Sequence, residues 1–155
     1  MPIDAPLALG PFCIDVMGRL SARLPDRDAR FSFVWRNRLM QARLADTVLE
    51  MQAVVGRVPS TAALPTARQE RMQIFAFLPR LPALLPPEWR AFLAADHRLL
   101  MQTSLALATS PVITDLLAAM TMRLISLAPY LDVLEEAGVR PRGAFAAGAG
   151  GTIRV

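Results

Sequence analysis

Few residues of this chain could do chemistry. It carries 17 arginines and no lysine, 13 carboxylates, and a single histidine and cysteine. Asp96 and His97 are the suggestive pair, since a carboxylate beside an imidazole can steer it toward base or ligand duty. On a helix, though, adjacent side chains point about 100° apart and do not face one another. The plainer expectation is structural. Asp96 lies close to the apolar line Trp89, Leu93, Leu100 and Leu107, and would pair there with an arginine from another element. Asp96 and His97 are thus candidate buried polar residues.

Other chemistries lack their residues. One histidine and one cysteine cannot form a zinc cluster, and no Glu-x-x-His pair supplies a di-iron bundle. His97 alone would be thin ground for a haem. There is no Gly-x-Ser-x-Gly elbow and no lysine for a Schiff base, and Cys13 sits without a basic run beside it. The AGAGG at 147–151 follows no strand and opens no helix, so it is no phosphate loop. The expectation is a protein without catalytic residues, metal or cofactor.

Arginines give the best candidate for binding. Between Arg19 and Arg43 there are seven arginines against Asp26 and Asp28, a local charge of +5, whereas the whole chain is +4. Within it, Arg27, Arg30, Arg36 and Arg38 interleave with Phe31, Phe33 and Trp35, and Arg43 follows. Arginines for phosphates and aromatics for stacking would suit single-stranded nucleic acid. A solvated or partner-facing helix end is the plainer account, and acidic proteins or anionic headgroups are further uses.

The elements that would position these residues read as helices. In Ser110–Gly138, Ile113, Leu117, Met120, Leu124, Leu127, Leu131 and Leu134 recur in a seven-residue pattern, a seam that other helices should cover. Ser110 and Pro111 suit its start and Gly138 its end, while Pro129 should kink it. Over 28–55, Phe33, Met40, Leu44, Val48, Met51 and Val55 form one stripe. Arg36, Arg43, Asp46, Glu50 and Arg57 fall opposite, so an amphipathic helix is predicted. Shorter helices are predicted over 11–24, 67–78 and 88–109. Pro79, Pro82, Pro86 and Pro87 make the stretch between the last two an apolar connector.

The predicted fold is an all-α, single-domain bundle of about five helices with a proline-rich connector. A flexible arm at 1–10 precedes it, the bundle spans 11–138, and a disordered Gly/Ala-rich tail fills 139–155. Hydrophobic residues make up 54% and charged ones 19%, and mean hydropathy is +0.35. That surplus suggests apolar surface kept for a partner. No window offers about 20 clean apolar residues for a membrane span. The N-terminus lacks the basic region of a secretory signal, and one cysteine forms no intrachain disulfide. The function expected is therefore a non-enzymatic interaction protein, a subunit, adaptor or chaperone of a larger assembly that pairs with a protein partner or itself. It would be cytoplasmic or at the cytoplasmic face of a membrane complex. An arginine-rich nucleic-acid regulator and a peripheral membrane protein are the alternatives.

Overall fold

The computed structural model describes residues 5–24, 26–60 and 65–141, with positions 65 and 66 described in backbone only. Positions 1–4 of the expected arm and 142–155 of the expected tail lie outside the described residues. The all-α expectation is corrected: the chain is mostly antiparallel β-structure. Leu7–Leu9 (β1), Phe12–Ile14 (β2) and Leu20–Ala22 (β3) make a small three-stranded sheet. Ala29–Trp35 (β4), Arg38–Ala45 (β5), Val48–Arg57 (β6), Trp89–Leu93 (β7) and Arg98–Ala106 (β8) make a second sheet. Its order is β4-β5-β6-β8-β7, antiparallel throughout. Pro65–Phe77 (α1), a 3-10 turn at Leu78–Arg80 and the short Leu81–Leu84 (α2) link β6 to β7, and Ile113–Glu136 (α3) follows β8.

The predicted helix over 28–55 is three strands, and the reason is arithmetic. Inward residues are odd-numbered on β4 (Ala29 to Trp35), even on β5 (Arg38 to Leu44) and odd on β6 (Leu49 to Val55). Two-residue turns at Arg36-Asn37 and Asp46-Thr47 flip the parity. Inward residues Phe33, Met40, Leu44, Met51 and Val55 therefore fall at intervals of seven and four, which imitate a helical stripe. Both turns lack glycine, the usual hairpin signal. Arg36 and Asn37 instead hold φ of 49° and 57°, and Asp46 holds 51°, the signs that right-twisted two-residue hairpins require. Arg43 and Glu50, placed together on one helix side, are cross-strand partners.

The predicted helix over 88–109 is likewise the β7–β8 hairpin. His97 takes φ of 64° at its turn, where its N–H donates to the Ala94 carbonyl and the Ala94 N–H to the Arg98 carbonyl. The expected helix over 11–24 is β2 and β3. The proline-rich connector carries the end of α1, the 3-10 turn and α2, with Leu81 and Leu85 buried beneath it. Residues 7–9, expected in an arm, pair with β2.

One face of the large sheet forms the core. Met40, Leu49, Met51, Ala53, Val55, Leu99 and Met101 are buried there together with Ile74 of α1 and Leu116, Leu127, Leu131 and Leu134 of α3. Trp89 Nε1 donates to Ser126 Oγ of α3 at 3.2 Å. At the bulge between Val54 and Gly56, Gly56 lets the chain after α3 approach closely. A Cβ there would lie 2.5 Å from Val139 Cγ1 and 3.0 Å from the Arg140 carbonyl oxygen. The small sheet is tied to the start of α3, since the Leu20 N–H donates to the Pro111 carbonyl at 2.8 Å. Phe12 meets Phe31 edge-on at 5.5 Å between centroids.

Candidate protein-interaction surface

Two of the arginines expected to meet an anion instead hold the fold together. The extended backbone of β5 turns Arg38 inward, and its side chain is 1% exposed. It donates from Nε to the Val55 carbonyl at 3.0 Å, from one terminal nitrogen to the Arg36 carbonyl at 3.0 Å, and from the other to Glu135 at 2.7 Å. Arg36, in the preceding turn, donates to the Ala128 carbonyl at 2.9 Å and to Asp132. The hydrogen bond to Asp132 raises the Arg36 pKa further above its ordinary value. Together they clamp the acidic end of α3, where Asp132 and Glu135 oppose the helix dipole unless a cation faces them.

Arg43 lies on the outer face, paired with Glu50 at 2.7 Å and Asp28 at 3.1 Å. Its pKa is raised, first by the hydrogen bond to Glu50. Arg30 is 72% exposed and 4.0 Å from Asp28. Arg27 is exposed and forms no ion pair with a described residue. The five candidates are therefore not one cluster: Arg38 is buried, Arg36 and Arg43 are held in ion pairs, and Arg27 and Arg30 are exposed.

Asp96 and His97 are corrected from buried to turn residues. Asp96 accepts from Arg98 Nε at 2.5 Å and from the Arg98 N–H at 3.3 Å, and Arg57 approaches to 3.9 Å. Desolvation pushes its carboxyl pKa up, but the Arg98 bonds and the charges of Arg98 and Arg57 outweigh this and leave it below the ordinary value. His97 Nε2 is 3.5 Å from a terminal nitrogen of Arg71. Cys13, on β2, is half-buried, and the Ser21 hydroxyl approaches its carbonyl. Among the described residues no group of three or more His, Cys, Asp or Glu could hold a metal ion.

The seam of α3 divides. Met120, Leu127, Leu131 and Leu134 are buried inside the chain, covered by a sheet instead of helices; Ile113 and Leu124 are half-buried, and Leu117 is 55% exposed. The opposite side of α3 is also apolar. Met122 is 67% exposed, Ile125 61% and Val133 39%. At about 100° per residue, Leu117 lies at the margin of the buried face, whereas Met122, Ile125 and Val133 fall within about 80° of one another on the outer side. The sequence seam drew attention away from them because an alternative apolar line seven residues apart runs beside it. By length and mean hydropathy, 1.4 over its most apolar window, α3 is apolar enough to cross a membrane. The sheet against its inner side accounts for only part of that character.

A second apolar line crosses the outer face of the large sheet, which sequence reasoning missed. Val34 pairs with Leu39, Val54 with Leu100, and Leu100 with Phe92, while the β5–β6 register sets Leu39 beside Val54. The row spans all five strands, and its end members Val34 and Phe92 are 55% and 46% exposed. Next to it runs a polar row, Ser32, Gln41, Gln52, Gln102 and Arg90, with Gln102 donating to Gln52 at 2.7 Å. An open hollow of about 1050 Å³ lies over the polar part of this face. Such a surface offers contact area, amides, arginines and the carboxylates of Glu50 and Glu88. No protein-family model matches the chain, and no curated protein is significantly similar to it.

Proposed function

We propose that this chain is a non-enzymatic interaction protein, a subunit, adaptor or chaperone of a larger assembly, that docks through the outer side of α3. The observation supporting this most is the exposed apolar outer side of α3, formed by Met122, Ile125 and Val133 on a 24-residue helix. A helix that already buries its other face in the core has no intramolecular use for a second apolar side. Covering a large aliphatic side chain is worth roughly 1.5–3 kcal/mol, so these three residues can supply a substantial part of a moderate affinity. The dispersal of chemistry-bearing residues supports the same reading, because Cys13 belongs to β2 of the small sheet while Asp96 and His97 belong to the β7–β8 turn of the large one.

The test is light scattering of the purified chain over a range of concentrations, with co-purification from its native host. The reading expects a mass above 16.9 kDa, or a stoichiometric partner, and loss of either in Ile125→Glu. A wild-type monomer at all concentrations that brings no partner, with Ile125→Glu indistinguishable from it, would overturn the proposal.

A further inference from the structure

A second feature suited to protein contact is the open edge of the large sheet at β4. In a two-residue hairpin the closing pair, here Trp35 and Arg38, exchanges both backbone hydrogen bonds, and alternation follows from it. Ala29, Phe31, Phe33 and Trp35 therefore direct their N–H and C=O groups to β5. Those of Arg30, Ser32 and Val34 point away from the sheet, and no backbone bond from a described residue reaches them. Proteins usually blunt such an edge with proline, lysine, a bulge or a covering segment. The other edge, β7, has five residues, follows Pro86-Pro87 and has α2 beside it. β4 has seven residues, ARFSFVW, with neither proline nor lysine and a regular register throughout.

The side chains along this edge specify what would pair with it. Arg30 is 72% exposed, and its nearest carboxylate, Asp28, is closer to Arg43. Arg27 adds a second accessible cation just before the strand. Val34, 55% exposed, begins the apolar row at the other end. On the inner side Phe31 and Phe33, stacked at 6.3 Å between centroids, are only partly buried because the sheet stops there. Two copies of β4 paired with each other would bring further arginines to this edge, while Asp26 and Asp28 lie before the strand, with Asp28 already held by Arg43. Charge complementarity therefore selects a different strand.

We propose that β4 receives an extended acidic segment of a partner protein as an added strand. This rests on the reading of the chain as an interaction protein but uses a different surface from α3. The segment's backbone completes the hydrogen bonds of Arg30, Ser32 and Val34. On the outer face it sets a carboxylate beside Arg30 and an aliphatic residue beside Val34, and its intervening residues cover Phe31 and Phe33.

The probe is a blocked peptide with the central sequence Val-Ile-Thr-Ile-Glu, which runs antiparallel to residues 30–34 in that register, and its Val-Ile-Thr-Ile-Lys counterpart. Amide exchange by NMR on the full chain should show the Arg30, Ser32 and Val34 amides becoming protected with the Glu peptide, while those of Phe31 and Phe33 are protected beforehand. Ser32→Pro removes an outward N–H that β5 does not use, and should weaken binding about tenfold or more. Arg30→Glu, at an exposed site, should reverse the preference to the Lys peptide. Three results would overturn the inference. One is no protection of the three amides. Another is protection without peptide, accompanied by a doubled mass, which would give the edge to a second copy. The third is binding abolished by Leu100→Gln but untouched by Ser32→Pro and Arg30→Glu, placing the peptide on the sheet face. None depends on Ile125→Glu, so failure here leaves the α3 reading standing.

Discussion

Arg38 carries the sharpest test of how the sheet and α3 are joined. Its guanidinium is buried, yet all its recorded partners are oxygens: the Val55 and Arg36 carbonyls and Glu135. Truncation in Arg38→Ala removes the Glu135 partner, strands the buried Val55 carbonyl and leaves a cavity where a long side chain ran. Breaking a buried pair in this way costs about 3–5 kcal/mol. Arg38→Met keeps most of the volume but still orphans the carbonyls, and two lost buried bonds at about 1 kcal/mol or more each make it the milder variant. Glu135→Gln keeps an acceptor at a side chain 40% exposed, where solvent screens the charge, so its cost is about 1 kcal/mol or less. Urea unfolding should therefore rank Arg38→Ala above Arg38→Met above Glu135→Gln. For a chain of this size the first should lower the melting midpoint by roughly 6–20 °C. A double-mutant cycle between positions 38 and 135 separates the ion pair from the carbonyl bonds. Should Arg38→Ala cost no more than Glu135→Gln, the guanidinium is not holding the sheet and this account of the clamp is wrong.

Two further predictions concern packing and charge. Gly56→Ala should destabilise by about 1–3 kcal/mol, because the new methyl meets the Val139 side chain and the Arg140 carbonyl at the bulge. Chemical denaturation checks it, and an unchanged midpoint would mean the chain after α3 moves aside freely. For Asp96, the folded carboxyl pKa lies below its unfolded value. Its contribution to stability is thus fully present above the unfolded pKa and disappears as pH falls through the folded one. Acid unfolding of Asp96→Asn should show a weaker pH dependence across that window, and high salt should reduce the difference between the two proteins. Equal acid profiles would show that the β7–β8 turn gains nothing from Arg98 and Arg57.

The two longer helices, α1 and α3, were legible and the sheet was not, for a common reason. α3 has a seven-residue repeat with Pro111 before it and Gly138 after it, and the helix runs through Pro129 to Glu136. α1, expected over 67–78, spans Pro65–Phe77. In β4–β6 the strand period is real but disguised. Alanines at 42 and 53 occupy core positions where a larger residue would have made the alternation plain. Arg38 is polar and faces inward; Leu39, Val54 and Leu100 are apolar and face outward. Each of these breaks the inside–outside code that distinguishes a half-buried strand. The turns withheld the other clue, since Arg36-Asn37 and Asp46-Thr47 adopt positive φ without a glycine to mark it.

The same departures that hid the strands define what the molecule presents to others. Arg38 faces inward because the end of α3 carries Asp132 and Glu135, and a sheet residue is the cation close enough to meet the second of them. That commitment draws the positive charge of the β4–β5 turn away from solvent, leaving Arg27 and Arg30 as the accessible cations of this region. Leu39, Val54 and Leu100 face outward on strands whose inner face is already filled, so their burial has to come from outside the fold. The row they form with Val34 ends at the β4 edge beside those arginines. Apolar surface, unpaired backbone and accessible cations thus meet at one border of the sheet. A strand carrying carboxylates and aliphatic residues answers all three, whereas a nucleic acid would answer the arginines and leave the apolar row and the backbone exposed to water.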